Sequence, residues 1–366
     1  MTGVAVVNAG SSSLKVRVLG SGDLVAAALD LDPWDGSPDH PELADFLAAS
    51  HASVVGHRVV HGGTTFSRAV LIDDGVIDAI SALTDLAPLH QPRALAGIEA
   101  ARRALPGVPG VACFDTAFHA GLPEAAARYA LPASWTHRFG LRRYGFHGLS
   151  HAYAARRASE LLGRDPRQLR IVTCHLGAGA SLAAVNAGRS VDTTMGFTPL
   201  EGLVMATRSG SVDPGLITWL LQHGKLSLDD VASGLELASG LAGLSGLAAG
   251  DMRDVLRAAA AGDAPARLAI DVYLHRLRRE IAAMAAAMNG LDALAFTGGV
   301  GEHSPAIRAA AATGLEFLGI SVDPGRNAAI SDADVSGPGP VRTLVITARE
   351  DIEIARQARE LAGSLS

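Results

Sequence analysis

The sequence contains few cysteines and few aromatic residues. Only Cys113 and Cys174 are present among the 366 residues, and aromatic side chains make up 4% of the chain. Each cysteine lies inside an apolar, strand-like run, which favours two buried free thiols over a disulfide or a metal site. A disulfide-stapled secreted scaffold is therefore disfavoured, and a reducing compartment is expected.

Clustered positive charge and long apolar runs are also absent. The formal net charge is −6 and the Lys and Arg residues are scattered, so the sequence has neither a nucleic-acid footprint nor a polybasic membrane anchor. The apolar stretch 281–296 is broken by Asn289 and Gly290 and is too polar at its edges to span a bilayer. The first residues enter a strand pattern at once, without the basic segment and cleavage site of a signal peptide. We therefore expect a cytoplasmic protein that binds a small molecule.

The chain does contain enough apolar sequence for two domains. Hydrophobic residues make up 48% and charged residues 19%, as in ordinary globular proteins, and the length predicts roughly one domain per 100 to 200 residues. Residues 4–19 and 171–186 each have the pattern of a strand, a small-residue turn and a second strand. Helical periodicity follows in both halves, at 92–104, 151–162, 265–288 and 350–363. The recurring hairpin predicts an α/β protein with two duplicated domains and a cleft between them.

Three glycine-rich turns have the composition that lets backbone N–H groups approach a polyphosphate. Residues 8–15 (NAGSSSLK) and 175–181 (HLGAGAS) connect strands, whereas 297–305 (TGGVGEHSP) leads from a strand into a helix with Ser304 at the N-cap and Pro305 at N1. None ends in the GKS or GKT of a P-loop, and none forms the GxGxxG unit of a dinucleotide-binding domain. Taken singly, each is equally well explained as a tight structural turn.

Arg58 and Asp115 are charged residues set in apolar strand sequence. Arg58 stands in GHRVVHGG, where the neighbouring sequence offers no carboxylate partner, so we interpret it as an anion-binding residue. Asp115 follows an apolar strand, a position typical of metal-binding or catalytic carboxylates in open α/β sheets. The alternative for Asp115 is a helix N-cap.

Two further candidates lie in later motifs. His147 stands between glycines in RRYGFHGLSH, four residues before His151. That spacing can bind zinc, but no third ligand and no HExxH motif accompany it, so a hydrogen-bond donor to a phosphoryl oxygen fits His147 better. Residues 191–215 lack regular periodicity, have the profile of a functional loop and include Arg208. Two arginines without evident acidic partners suit a doubly charged phosphoryl group.

Motifs along almost the whole chain occur in a recognisable order: VVNAGSSSLK, HRVVHGG, LAPLHQP, FDTAFH, RRYGFHGLSH, HLGAGAS, SVDTTMGFTPLEGL, TRSG, FTGGVGEHS and TAREDIEIA. They resemble those of the acetokinase family, within the actin, hexokinase and Hsp70-like ATPase superfamily. The resemblance implies reversible, direct in-line transfer of the γ-phosphoryl group of ATP to acetate, giving acetyl phosphate and ADP, with Mg²⁺ or Mn²⁺. It also implies two RNase H-like domains and a homodimer. We expect an N-terminal lobe of residues 1–119 and 350–366, and a C-terminal nucleotide-binding lobe of residues 120–349.

The same resemblance assigns roles to individual residues. The first phosphate hairpin of the family matches Asn8, Ser11, Ser13 and Lys15, and its metal-linked positions match Asn8 and Glu350. Its catalytic positions match Arg58, Asp115, His147 and Arg208. Its acid-binding positions match Arg58, Val60, Leu89, Phe146 and Pro199. Its nucleotide-binding positions match Lys15, His175, Gly177, Gly179, Asp251, Met252, Arg253, Gly299 and Gly301. Taken alone, Glu350 is equally a carboxylate in the first turn of a helix.

The sequence departs from the family pattern at several positions, which leaves alternatives open. The family usually has Asn where this chain has Gln91, Ala178 and His303, Gly where it has Ala206, and an acidic residue where it has Ser211. The stretch 20–50 is also shorter than in typical members. The alternatives are a propionate or butyrate kinase, or a nucleotide-binding homologue with weakened catalysis. A valine at position 60 favours acetate, although one methylene group discriminates by only about 1–3 kcal/mol.

Overall fold

The computed structural model describes residues 3–10 and 13–364. The chain forms two compact units. Unit 1 comprises Met1–Gly121, Phe146–Tyr153 and Arg349–Ser366, and unit 2 comprises Leu122–Gly145 and Ala154–Ala348. The segment Phe146–Tyr153 packs with unit 1, although it lies in the range that the sequence assigns to the second lobe. The assignment of nucleotide binding to the C-terminal lobe stays a prediction.

Unit 1 contains a six-stranded mixed sheet and its helices. The strands are β1 (Gly3–Ala9), β2 (Leu14–Leu19), β3 (Val25–Leu31), β4 (Ala52–Val59), β5 (Val70–Leu71) and β6 (Gly110–Phe114). The helices are α1 (Pro41–Ala49), α2 (Asp74–Ser81), α3 (Gln91–Ala104) and, from the far end of the chain, α14 (Glu350–Gly363). Short 3₁₀ segments are Ser21–Asp23, Thr84–Leu86 and Ala117–His119.

Unit 2 contains a second six-stranded sheet. Its strands are β7 (Arg170–Leu176), β8 (Ala180–Asn186), β9 (Arg189–Thr193), β10 (Ala293–Thr297), β11 (Ala333–Asp334) and β12 (Arg342–Val345). Its helices are α4 (Glu124–Ala127), α5 (Ala133–Phe139), α7 (Pro214–Gln222), α8 (Leu228–Leu237), α9 (Gly240–Ser245), α10 (Met252–Ala260), α11 (Ala264–Ala287), α12 (Gly298–His303) and α13 (Pro305–Ala312). Helix α6 (Gly148–Leu162) begins among the residues of unit 1 and ends among those of unit 2. Short 3₁₀ segments are Pro166–Gln168, Glu316–Leu318 and Arg326–Ala328.

The two sheets have the same topology, strand for strand. The order is β3-β2-β1-β4-β6-β5 in unit 1 and, counted from the opposite edge, β9-β8-β7-β10-β12-β11 in unit 2. Each sheet begins with three antiparallel strands, continues through two parallel neighbours and ends on a short antiparallel edge strand. The prediction of two duplicated α/β domains from the recurring hairpin is confirmed.

The first sheet is apolar on both faces because helices cover both. Ala5 and Val7 of β1 belong to a core cluster with side chains of α1 and α3, whereas Val4 and Val6 belong to a cluster with Ile354 of α14. Alternate residues of a strand point to opposite faces, which explains the unbroken apolar sequence. Burial of a Val or Ile side chain contributes about 1.5–3 kcal/mol, so this packing fixes the position of α14.

Several sequence predictions concern burial. Cys113 and Cys174 are both free and buried, as predicted. Every helix within residues 3–10 and 13–364 is too short or too polar to cross a membrane. The acidic residues in the first turn of α14, which include Glu350, suit the positive end of the helix dipole.

Candidate active site

Arg58 and Asp115 form an ion pair in unit 1. Strands β4 and β6 are parallel neighbours, with Arg58 opposite Cys113, so Asp115 lies beside Arg58 at the end of β6. The Arg58 guanidinium donates to Asp115 Oδ2 through Nη2 at 2.6 Å and through Nε at 3.2 Å. The prediction that Arg58 has no acidic partner is therefore wrong, because the partner lies 57 residues further along the chain.

Asn8 and Glu350 complete a cluster of four polar side chains that includes Arg58 and Asp115. Arg58 Nη1 donates to Asn8 Oδ1 at 3.2 Å, and Asn8 Nδ2 donates to Glu350 Oε2 at 3.2 Å. Arg58 Nε is also 3.8 Å from Glu350 Oε2. The four residues come from β1, β4, the end of β6 and the first turn of α14. The structure thus brings together four of the predicted site residues, which we call the Arg58 cluster.

The Arg58 cluster lies at the border between the core and the solvent. The side chains of Arg58 and Glu350 are each 16% exposed, and that of Asp115 is 1% exposed. Burial lowers the pKa of Arg58, but attraction to Asp115 and Glu350 outweighs it and leaves the pKa above its ordinary value. Burial raises the pKa of Asp115, and the charge of Arg58 opposes that rise. The guanidinium is therefore held charged and in one orientation, with part of its surface reached by solvent.

His147 is tied to Asp115 through the backbone of the following residue. The Gly148 N–H donates to the Asp115 carbonyl at 2.9 Å. A Cβ atom on residue 148 would lie 2.0 Å from that oxygen, so only glycine permits this approach. His147 itself has a φ of 55°, an uncommon conformation for a residue with a side chain. Backbone strain of this kind is concentrated at functional sites, which agrees with the predicted role of His147.

The predicted acid-binding residues of unit 1 differ in their exposure. Val60 and Phe146 are 6% and 1% exposed, whereas Leu89 is 53% exposed. Val60 precedes His61, whose ring meets that of Phe146 edge-on with centroids 5.4 Å apart. The buried Gln91 side chain bonds both backbone groups of His61, at 3.4 Å to the N–H and 3.0 Å to the carbonyl. Gln91 therefore fixes the segment beside Val60, a role that the sequence did not reveal.

The first phosphate hairpin connects β1 with β2. Asn8 pairs with Lys15 across the two strands, and the Gly10 N–H donates to the Ser13 carbonyl at 2.7 Å. The Lys15 side chain is exposed and Ser13 is half-buried. Ser11, another predicted phosphate-binding residue, lies outside the described residues.

Arg208 lies in unit 2, in the irregular segment between β9 and α7. Its Nη1 donates to the Pro199 carbonyl at 3.2 Å, and it makes no salt bridge within the part of the chain that the structure describes. Burial lowers the pKa of Arg208, and the charge of Glu236 opposes this. Unlike Arg58, Arg208 keeps a positive charge that no carboxylate of residues 3–10 and 13–364 contacts and neutralises.

The two glycine-rich segments of unit 2 that were predicted as turns lie at the same edge of its sheet. They follow β7 and β10, which are parallel neighbours, and crevices at the carboxyl ends of such strands commonly bind ligands. In the turn after His175, the Gly177 N–H donates to the Gly179 carbonyl at 3.0 Å. The other segment is a helix and not the predicted turn, because α12 (Gly298–His303) begins directly after β10 and contains Gly299 and Gly301. A Cβ atom on Gly299 would have open space around it. The structure therefore brings these two sets of predicted nucleotide-binding residues together.

Asp251, Met252 and Arg253 form the start of α10. Asp251 is the N-cap and pairs with the Arg253 guanidinium at 2.6 Å, and this hydrogen bond is the main reason that the pKa of Asp251 falls to about 2. Residues 247–251, with Asp254 and Arg257, line a cavity of about 540 Å³. That volume is within the range of small-molecule sites, about 300–1,000 Å³. Met252 is buried, at 4% exposure.

Oxygen atoms dominate the possible metal ligands. No group of three or more His, Cys, Asp or Glu side chains in residues 3–10 and 13–364 is arranged to hold a metal ion. His147 and His151 therefore do not belong to such a group. The Arg58 cluster nevertheless offers the Asn8 amide oxygen and the Glu350 carboxylate. Mg²⁺ usually takes one or two carboxylates together with substrate phosphates and water, and this donor set fits that pattern.

The sequence and the fold of this chain are similar to those of known proteins. The sequence profile described as the acetokinase family matches residues 45–356. The chain belongs to the acetokinase family. One relative in that family, the acetate kinase of Synechococcus sp. (strain JA-2-3B'a(2-13)), is 53% identical over 315 residues, which are 86% of this chain and 77% of the relative.

Two crystal structures are similar to this structure over almost the whole chain. Acetate kinase from Porphyromonas gingivalis has a TM-score of 0.90 and 36% identity, covering 99% of this chain and 100% of its own. A propionate kinase from Francisella tularensis subsp. tularensis SCHU S4 has a TM-score of 0.90 and 35% identity, covering 98% of this chain and 100% of its own. The acetokinase resemblance and the actin-like ATPase fold predicted from the motifs are both confirmed.

Proposed function

We propose that this protein is an acetate kinase that reversibly converts ATP and acetate to ADP and acetyl phosphate. The observation that supports this most directly is the Arg58 cluster, in which a charged guanidinium is fixed by Asp115 at 2.6 Å within an acetokinase fold. Acetate kinases are also the relatives that match the chain at up to 53% identity.

The chemistry follows from what phosphoryl transfer requires. The transition state is loose and its charge is spread over the phosphoryl oxygens, so catalysis depends on positioning and on positive charge. Arg58 supplies a charge whose orientation Asp115 and Asn8 set. Arg208 supplies a charge that no carboxylate among the described residues neutralises by contact, and His147 supplies an imidazole hydrogen-bond donor. Direct in-line transfer needs no covalent enzyme intermediate.

A divalent cation, Mg²⁺ or Mn²⁺, is part of this proposal. Glu350 and Asn8 would hold it, because their oxygens suit hard cations. When bound, the ion neutralises charge on the nucleotide phosphates. Glu350 also contacts Arg58, so the same carboxylate serves the cation site and the guanidinium.

Acetate is the proposed acid because, in the family that the chain resembles, a valine at position 60 favours acetate over propionate. Val60 and Phe146 are buried, and Pro199 and Leu89 are the other predicted contacts. The propionate kinase from Francisella tularensis, at 35% identity, supports propionate as the second candidate. One methylene group discriminates by only about 1–3 kcal/mol, so the acids must be compared directly.

Trapping of acyl phosphate with hydroxylamine tests the proposal. Purified protein with ATP and Mg²⁺ is assayed on acetate, propionate and butyrate, and acetate is expected to give the highest kcat/KM. A higher kcat/KM on propionate than on acetate would make propionate the substrate instead. ATP binding by calorimetry without acyl phosphate from any acid would favour a nucleotide-binding homologue, for which the motivation is Ala178 and the exposed His303.

The proposed assembly is a homodimer. Helix α7 contains no charged residue, and none of its residues is buried. Its apolar side chains Leu216 and Trp219 are 45% and 54% exposed. An apolar face of this kind is typical of a protein interface, and a second copy of the chain is the proposed partner. Light scattering should show a dimer, and Trp219→Glu should give a monomer. A cytoplasmic location and the absence of nucleic-acid and membrane partners stay predictions.

A further inference from the structure

Three polar side chains of unit 2 converge on the segment that precedes Arg208. Glu201 accepts hydrogen bonds from the Tyr129 hydroxyl at 2.6 Å and from Arg143 Nη2 at 2.7 Å. Tyr129 follows α4, Arg143 follows α5, and Glu201 lies between β9 and α7, so three separate stretches of chain meet. The Arg143 and Glu201 side chains are 17% and 33% exposed. We call these three residues the Glu201 network.

The Glu201 network holds the backbone of residues 194–197. Arg143 Nη1 donates to the carbonyls of Thr194 and Met195, each at 3.1 Å. The Tyr129 oxygen accepts a hydrogen bond from the Phe197 N–H at 2.8 Å while its own proton goes to Glu201. Burial raises the pKa of Tyr129, and Glu201 raises it further, so the hydroxyl stays protonated as a donor.

Gly196 shows how closely this backbone approaches the network. A Cβ atom on residue 196 would lie 1.7 Å from Glu201 Oε2 and 2.1 Å from the Tyr129 oxygen, so a side chain there would have to displace both groups of the network. The Gly196 carbonyl also accepts hydrogen bonds from the Tyr144 and Gly145 N–H groups, at 3.0 and 3.3 Å. The segment is therefore fixed from both sides.

The network is connected to Arg208 through Pro199. Pro199 lies between Phe197, whose N–H is bonded to Tyr129, and Glu201 itself, so both flanks of the proline are anchored. The Pro199 carbonyl accepts from Arg208 Nη1 at 3.2 Å. Since Arg208 has no salt bridge among the described residues, this carbonyl is the main polar atom that orients the guanidinium.

We propose that Tyr129, Arg143 and Glu201 are positioning residues that hold the loop 194–201 so that the Pro199 carbonyl orients Arg208 for phosphoryl transfer. The inference rests on the proposed function, in which Arg208 stabilises charge on the transferred group. Loss of positioning should affect kcat more than substrate affinity, because a misplaced group of this kind reduces the rate of the chemical step.

The primary test compares two tyrosine-to-phenylalanine variants. Tyr129→Phe removes the hydroxyl of the network, and Tyr273→Phe removes a buried hydroxyl that has no hydrogen-bond partner in the described part of the chain. We expect kcat to fall roughly tenfold or more in Tyr129→Phe, with KM for ATP changed less than about twofold, and kcat to be unchanged in Tyr273→Phe. Glu201→Gln keeps the size of the side chain but loses the charge opposite Arg143. Its kcat should fall in the same way as that of Tyr129→Phe.

A double-mutant cycle separates positioning of Arg208 from general damage to the fold. In an Arg208→Ala background, Tyr129→Phe should have no further effect on kcat, because the group to be oriented is gone. If Tyr129→Phe slows Arg208→Ala by the same factor as it slows the wild type, the proposal is overturned. Equal turnover of Tyr129→Phe and wild type would overturn it as well.

A readout without activity makes the test independent of the proposed function. In ¹⁵N-arginine-labelled protein, the Arg208 Nε–H resonance is identified by its loss in Arg208→Ala. It should move or broaden in Tyr129→Phe and Glu201→Gln, and stay in place in Tyr273→Phe. Absence of acyl phosphate from the wild type would refute the proposed function alone, whereas an unmoved resonance in both network variants would refute the positioning role.

Discussion

Arg58 Nη2 and Asp115 Oδ2 are 2.6 Å apart although 57 residues separate them in the sequence. Parallel pairing of β4 with β6 is what brings them together, and Asn8 of the neighbouring β1 reaches the same guanidinium. The charge available to an anion in unit 1 is therefore set by the order of strands in the sheet.

Removal of the Arg58 guanidinium should abolish most of the activity. Arg58→Ala is expected to lower kcat by about 10²–10³-fold, because it deletes a preorganised charge from the transition state. Asp115→Asn should also lower kcat, since the guanidinium loses its charged partner. Arg17→Ala, which breaks the more exposed pair with Asp30, is the matched control and should keep kcat. Unchanged turnover in Arg58→Ala would remove Arg58 from the site.

Glu350 should determine how much divalent cation the enzyme needs. Glu350→Gln keeps the hydrogen-bond acceptor for Asn8 but loses the charge, so the Mg²⁺ concentration for half-maximal rate should rise about tenfold or more. Glu360→Gln, on the exposed side of the same helix, is the control. The measurement is the rate as a function of free Mg²⁺ at saturating ATP. Identical curves for Glu350→Gln and wild type would contradict the metal assignment.

Helix α14 should be a large contributor to the stability of unit 1. Ile354 is 0% exposed and packs on the sheet, so Ile354→Ala should lower the free energy of unfolding by about 2–5 kcal/mol. Leu237→Ala, at a position that is 63% exposed, should change it by less than about 0.5 kcal/mol. Urea unfolding followed by circular dichroism measures both. A change at Ile354 no larger than at Leu237 would count against this packing.

His57 should make stability depend on pH in the acidic range. Burial lowers the pKa of His57 to about 3, and its Nδ1 has no hydrogen-bond partner within the described residues. Between about pH 6.5 and 3 the unfolded chain binds the proton and the folded chain does not, so the free energy of unfolding falls as pH falls, by roughly 1.4 kcal/mol per pH unit.

His57→Leu should remove this contribution and give a shallower slope of unfolding free energy between pH 7 and 5. Burial also lowers the pKa values of His61 and His119 to about 4, so these residues should still contribute part of the slope of unfolding free energy against pH. Substitution of the exposed His223 by Leu serves as the control. A slope in His57→Leu as steep as in the wild type would show that His57 is protonated equally in both states.

The fold was largely predictable because its signals are local. Helix α14 was expected at residues 350–363 and begins and ends there. The hairpins at 4–19 and 171–186 have the β1–β2 and β7–β8 pairings that their periodicity indicates. Both depend on residues close together in the chain, whose spacing is visible in the sequence.

The polar contacts of the site were much less predictable. No local pattern connects Tyr129 with Glu201, which are 72 residues apart, or Asn8 with Glu350, which are 342 apart. Such pairs become neighbours only after the strands and helices have packed. The family resemblance supplied the identities of Arg58, Asp115 and Glu350, but it did not supply the Arg58–Asp115 pairing or the role of Gln91.

The position of α14 in the chain has a consequence for biosynthesis. The ribosome makes every residue of unit 2 before it makes α14, whose Ile354, Ala355 and Ala358 cover one face of the first sheet. A nascent chain can therefore complete unit 2 while the sheet of unit 1 still exposes an apolar face and lacks Glu350. The part of the protein that is translated first is the part that matures last.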